Sequence, residues 1–204
     1  MGSIPTSASK YMNNLYIGID PGINNFAYTA LFNGEAAHYS LSIKRNQHIV
    51  DFIHDIYESI CTLIYDEIYT GYRGDVGKVI AVVEKQFDRG PGKRLEFIVN
   101  SIQVLMYSGM VSASTADDIY FNQLYIVHPS QVKKFVTGNG KAGEPEFWMK
   151  IKELSDCGKI PLGNNEHETE SGIMALMAAA LDGGVDWATK AQIDVCKKMA
   201  VAYP

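Results

Sequence analysis

Acidic residues recur in this sequence at the ends of predicted elements, and three such places could together hold divalent cations. Asp20 closes the apolar run Tyr16-Ile17-Gly18-Ile19 and is followed at once by Pro21-Gly22, a pair that stops a strand. Its carboxylate is therefore expected at a strand end, facing a cleft. An aspartate capping its own turn reads the same way in isolation, so the other acids decide. Glu84 holds the same kind of position, at the end of Lys-Val-Ile-Ala-Val-Val-Glu. The third place is Glu166-His167-Glu168-Thr169-Glu170-Ser171-Gly172, which leads into the apolar run 173–181. On a helix His167 and Glu170 are three apart and Glu166 and Glu170 four apart, so either pair projects from one face. Acids in a first helical turn also suit the macrodipole, and alone they carry no chemistry. Recurring at two strand ends and a helix start, they offer hard oxygen ligands plus an imidazole, a set for Mg²⁺ or Mn²⁺. Two such ions activate a water and stabilise the leaving oxygen of a phosphodiester.

The elements that must position these groups follow from periodicity. Residues 26–32 and 36–43 read as strands joined at Asn33-Gly34, a strong hairpin signal, so the chain opens with a three-stranded antiparallel meander. Apolar residues from Ile49 to Ile68 recur at helical spacing and predict a helix over 47–69. His48 and His54 are expected on its polar side. After a loop at 71–77, the near-continuous apolar strand 78–84 is of the kind covered by helices on both faces. A charged, Gly-rich loop at 88–93 precedes a second amphipathic helix over 94–111. Residues 124–127 form a short strand, and Ser130 is a good N-cap for a helix over 131–136. A basic loop at 137–141 follows, then a helix over 144–154 with Pro145 in its first turn, a loop at 161–165, the helix carrying His167 and Glu170, and a last helix over 186–201. This order predicts an α/β layer fold with a mixed sheet.

With 204 residues, 47% of them hydrophobic, the chain suits one domain: a disordered segment over 1–13, then a single domain over 14–204 ending in helices. The three cysteines show neither paired nor ligand spacing, which points to a reducing compartment. No apolar run is long enough for a bilayer, so a soluble, intracellular protein without a membrane partner is expected, cytoplasmic if viral or bacterial. A net charge of −5 weighs against generic nucleic-acid binding. Local basic patches remain at Arg89, Lys93-Arg94, Lys133-Lys134 and Lys141.

Four segments carry a family resemblance: IDPG at 19–22, VVEKQF at 82–87, PSQVKKFVTG at 129–138 and HETESGIMALMAA at 167–179. Together they resemble the RuvC-type Holliday junction resolvases of the RNase H-like superfamily, over most of residues 16–181. The resemblance implies a mixed five-stranded sheet, three antiparallel strands then two parallel, flanked by helices. It implies paired symmetric nicks in four-way DNA junctions by a homodimer using two Mg²⁺ ions per site, with Mn²⁺ able to substitute. By the same match Asp20, Glu84, His167 and Glu170 become metal ligands, and Lys133 the cation beside the scissile phosphate. Phe87 falls where the family carries an aromatic wedge at the opened junction. Arg89, Lys93, Arg94, Lys134 and Lys141 become phosphate contacts. The poxvirus and large-DNA-virus branch is a suitable home for a chain of this size. One departure is Glu170, where the family pattern has Asp, so Glu168 and Glu166 stay in reserve for the last carboxylate. A junction-binding scaffold of the same fold without catalysis is the alternative. The sugar kinase and actin type of ATPase, which also opens on a strand with Asp-x-Gly, needs a second domain for which 204 residues leave no room.

Overall fold

The computed structural model describes residues 14–22, 25–65, 78–85, 100–101 and 122–203. Its centre is β1 (Asn14–Asp20), buried at all seven positions. This strand pairs antiparallel with β2 (Phe26–Phe32) and parallel with β4 (Lys78–Glu84). β2 returns as β3 (Glu35–Leu41) through Asn33 and Gly34, both at positive φ (49° and 80°), the left-handed pair that a two-residue hairpin demands. β5 (Gln123–Val127) adds parallel to β4. The three antiparallel and two parallel strands thus stand as expected.

A sixth strand corrects the expected count. The region expected as one helix over 186–201 forms α5 (Lys190–Cys196) and then β6 (Ala200–Tyr203), antiparallel to β5, so the sheet order is β3-β2-β1-β4-β5-β6. The local reason lies in Thr189 and Gln192, whose reciprocal bonds, Gln192 N–H to Thr189 Oγ1 and Thr189 N–H to Gln192 Oε1, start the helix late. Ala200–Tyr203 then supplies backbone partners to the outer edge of β5, which would otherwise lack them.

Period-two alternation sends the strands' side chains to two cores. Leu15, Ile17 and Ile19, with Val79, Ala81 and Val83, pack under Phe52, Ile56 and Ile60 of α1 (Ile49–Tyr65). Tyr16, Ile80 and Val82 face the other way, into the core built by α2 (Pro129–Thr137), α3 (Glu144–Asp156), α4 (Glu166–Asp182) and α5. α4 is buried at every position from Ser171 to Ala180, because the sheet covers one side of it and helices cover another. At the crossing over β1 its backbone lies on Gly18, where a Cβ would run into the carbonyl of Ser171 and the amide of Ala175.

Two further helix starts differ from expectation. α2 begins at Pro129 with His128 as its N-cap: Pro fits the first helical position, and the Gln131 side chain accepts from the His128 N–H at 2.9 Å. Ser130 therefore sits inside the first turn. α1 starts at Ile49, one turn onward of which His54 meets Glu58 at 3.1 Å on the exposed side, as expected of a polar-face histidine. Residues 66–69 of the expected helix, the loops at 71–77 and 88–93, and the segment 1–13 lie outside the described residues. Of the helix expected over 94–111 only residues 100–101 are described, and they are helical. No helix among the described residues is long and apolar enough to cross a membrane.

Candidate metal centre

Asp20 stands at the carboxyl end of β1, opposite Ala27 of β2 and only 4% exposed. α4 opens above it. The Asn165 side chain accepts from the Glu168 N–H at 2.9 Å and caps the helix. From that start His167 and Glu170 project toward the strand end, His167 Nδ1 lying 2.7 Å from Asp20 Oδ2. One ligand atom from each of Asp20, His167 and Glu170 falls within 4.8 Å of the others. Residues 147 positions apart meet here because Gly18 and Ser171 let β1 and α4 approach closely.

The electrostatics are those of crowded acids in a half-closed site. Burial raises the Asp20 carboxyl above its usual value, and the hydrogen bond and charge of His167 oppose that rise. Glu170 is pushed up to about 7, first by burial and then by the neighbouring Asp20 carboxylate. Glu166 adds to the rise, while His167 and Lys133 work against it. Two carboxyls forced toward their protonated forms, with an imidazole beside them, make a donor set that a divalent cation would relieve of its repulsion. The residues present therefore fit a hard metal ion.

The other residues singled out from the sequence fall differently. Glu84 ends β4, where the last register pair before it is Ile19 with Val83, so Asp20 and Glu84 terminate adjoining parallel strands. Glu84 is half-buried and outside the three-residue group. Lys133, on α2, is half-buried and its charge reaches Glu170. Lys134 is exposed and borders a cavity of about 320 Å³ between α2, α3 and α5. Lys141 is exposed in the turn after α2, its N–H bonded to Asn139 Oδ1 at 3.0 Å. Phe87, Arg89, Lys93 and Arg94 lie outside the described residues.

Of the three glutamates that open α4, Glu170 is the one that meets Asp20 and His167; Glu166 is exposed. Glu168 is buried among hydrogen-bond donors and points elsewhere. Sequence reasoning missed its partners Ser40, Asn164 and Asn165, as well as Thr29, Ser171 and Gly18. A signal for one of them was present: Asn165 with Glu168 three residues later is the spacing of a helix-capping pair.

A mixed sheet with a long helix crossing its central strand is an RNase H-like α/β fold. The solved structures it is similar to are particular. A Thermus thermophilus RuvC structure matches with a TM-score of 0.57 at 14% identity, over 92% of this chain and 99% of that one. A T. thermophilus RuvC structure in complex with a Holliday junction substrate matches with a TM-score of 0.53 at 14% identity, over 84% of this chain and 97% of that one. At that identity the likeness is one of fold. No family model matches the chain, and no curated protein matches it by sequence.

Proposed function

We propose that this chain is a metal-dependent, structure-selective endonuclease that resolves four-way DNA junctions by paired symmetric nicks. The observation that carries the reading is the meeting of Asp20, His167 and Glu170 at the junction of β1 and α4, in a fold similar to that of a RuvC solved with its Holliday junction substrate. In this reading residues 14–204 are one nuclease domain, preceded by the segment 1–13. Two Mg²⁺ ions, replaceable by Mn²⁺, would supply an activated water and charge stabilisation at the leaving oxygen. Asp20, Glu84, His167 and Glu170 would hold them. Asp20 and Glu170, whose proton affinity is raised in the metal-free protein, would supply the anionic ligands. His167 fixes Asp20 through the 2.7 Å contact. Lys133, already felt by Glu170, stabilises charge on the phosphate in flight.

Duplex arms would be held by Arg89, Lys93, Arg94, Lys134 and Lys141 through phosphates, and Phe87 would wedge the opened centre. Two cuts need two sites, so the working form is a homodimer, in a soluble intracellular setting and in the poxvirus-like branch of these resolvases. The second reading, a junction-binding scaffold without catalysis, draws on Glu84 standing outside the three-residue group.

A labelled four-way junction separates the two. The nuclease reading expects paired nicks with Mg²⁺ or Mn²⁺, none in EDTA. In Asp20→Asn it expects cleavage slowed on the order of 10²–10³-fold, corresponding to several kcal/mol of lost charge stabilisation, with junction binding retained. Binding without nicks would favour the scaffold, and no binding of branched DNA at low salt would sink both.

A further inference from the structure

Between His167 and Glu170 stands a carboxylate that faces neither of them. Glu168 is 4% exposed, and each of its oxygens takes two hydrogen bonds. Oε1 accepts from Ser40 Oγ at 2.8 Å and Asn165 Nδ2 at 3.0 Å. Oε2 accepts from the Asn164 backbone N–H at 2.8 Å and from Asn164 Nδ2 at 3.0 Å. Four donors fill the acceptor sites of a carboxylate. Such a full set of donors suits the ionised form, which accepts at both oxygens and donates at neither. The backbone of the same residue is tied down too. Its carbonyl accepts from Ser171 Oγ at 2.8 Å and from Thr29 Oγ1 at 3.3 Å, and Thr29 is bonded in turn to His38 Nδ1 at 2.8 Å.

These bonds run to three different places: β3 through Ser40, β2 through Thr29, and the turn before α4 through Asn164 and Asn165. Apolar packing alone leaves a helix free to settle by small rotations and slides, and a buried charge with directional partners forbids them. Desolvating that charge is costly, so its contribution is to geometry more than to stability. We propose that Glu168 is the positioning residue of the site, fixing the rotation of the first turn of α4 so that His167 and Glu170 both converge on Asp20. The inference rests on the metal-centre reading above, and it names a residue whose carboxylate is turned to Ser40, Asn164 and Asn165 rather than to Asp20.

The test is Mn²⁺ binding to the whole chain without DNA, followed by the electron paramagnetic resonance of the free ion, beside thermal unfolding. Glu168→Gln turns an amide NH₂ toward groups that are themselves donors. Asp182→Asn is the comparison, because Asp182 anchors the other end of the same helix, accepting from Asn14 Nδ2 at 2.6 Å and Tyr16 OH at 3.1 Å. It lies about 20 Å away along the axis at 1.5 Å per residue. Both variants are expected to melt earlier. Glu168→Gln should weaken Mn²⁺ affinity about tenfold or more, with excess Mn²⁺ restoring cleavage, whereas Asp182→Asn should stay within about twofold. Should Glu168→Gln not fold, Ser40→Ala removes one bond of the four and should weaken binding in the same direction by a smaller factor. Wild-type Mn²⁺ affinity in both Glu168→Gln and Ser40→Ala, or weakening that merely tracks the loss of melting temperature in Asp182→Asn as well, overturns the positioning role and leaves the metal centre standing. A wild-type protein that binds no more Mn²⁺ than Asp20→Asn takes down the metal centre and this role with it.

Discussion

Glu170 is a carboxyl under load. Its affinity for a proton, raised to about 7 by burial and by Asp20, means that the folded, metal-free protein holds a proton which the unfolded chain releases near 4.5. Between those values the native state binds more protons than the unfolded one, so stability falls as pH rises. The loss is at most about 3 kcal/mol across the interval. Asp20, also raised, adds to it with the same sign. His38 is held below its usual value by burial and acts with the opposite sign, but it is common to wild type and variant and cancels in their difference. In EDTA, Glu170→Gln should therefore gain melting temperature over wild type at pH 7.5 and not at pH 4.5. Added Mg²⁺ should stabilise the wild type more than the variant at the higher pH. Equal melting profiles for the two proteins across that range would contradict the electrostatics described. At this scale Asp20 and the acidic start of α4 were legible because each rests on a local rule, a strand stop or a helical spacing, while the choice among Glu166, Glu168 and Glu170 stayed open. The part Glu168 plays was not legible, since its Ser40 partner is 128 residues away and no local pattern distinguishes it from its acidic neighbours.

Strand β1 and helix α4 meet through small residues, and this contact sets where the site forms. Gly18 sits inside the strand, where glycine usually weakens a sheet, and it is tolerated because backbone from Ser171 to Ala175 occupies the space a side chain would take. A methyl group there must push the helix off the strand, carrying His167 and Glu170 away from Asp20. Gly18→Ala should cost about 1–3 kcal/mol as an overpacking change and should abolish tight Mn²⁺ binding. Unchanged melting by calorimetry would show that the contact is looser than described. The meander, β4, β5 and the starts of α3 and α4 were readable from periodicity, hairpin residues and caps. The end of the chain was not: Ala200–Tyr203 is too short for a pattern to separate strand from helix, and the exposed edge of β5 decides it. The start of α2 went the same way, with Pro129 and the Gln131 bond to His128 outcompeting Ser130 as the boundary.

At the scale of the whole fold, the six strands among the described residues, with α1 on one face and α2 to α5 on the other, bring the ends of the parallel strands β1 and β4 to a common edge. That edge is where the acidic group lies, and in the nuclease reading a chain with net charge −5 would meet DNA there through local cations such as Lys133. If two copies act on one junction, mixed dimers of wild type with Asp20→Asn should cut one strand only. Denaturing gels should then show the nicked junction accumulating where wild type gives two linear duplexes. Fully paired cutting by the mixed species would argue that one site serves both strands.

The sequence by itself determined the layer architecture and placed Asp20 and the acidic start of α4 at element ends, because hydrophobic period, turn chemistry and helix-face spacing are local properties of the chain. Only the tertiary structure decided which glutamate of α4 joins the site, what holds its neighbour away, and how many strands the sheet has. Those outcomes depend on backbone approach at Gly18, on donors brought from β2 and β3, and on an unpaired strand edge, none of which exists until distant segments are packed together.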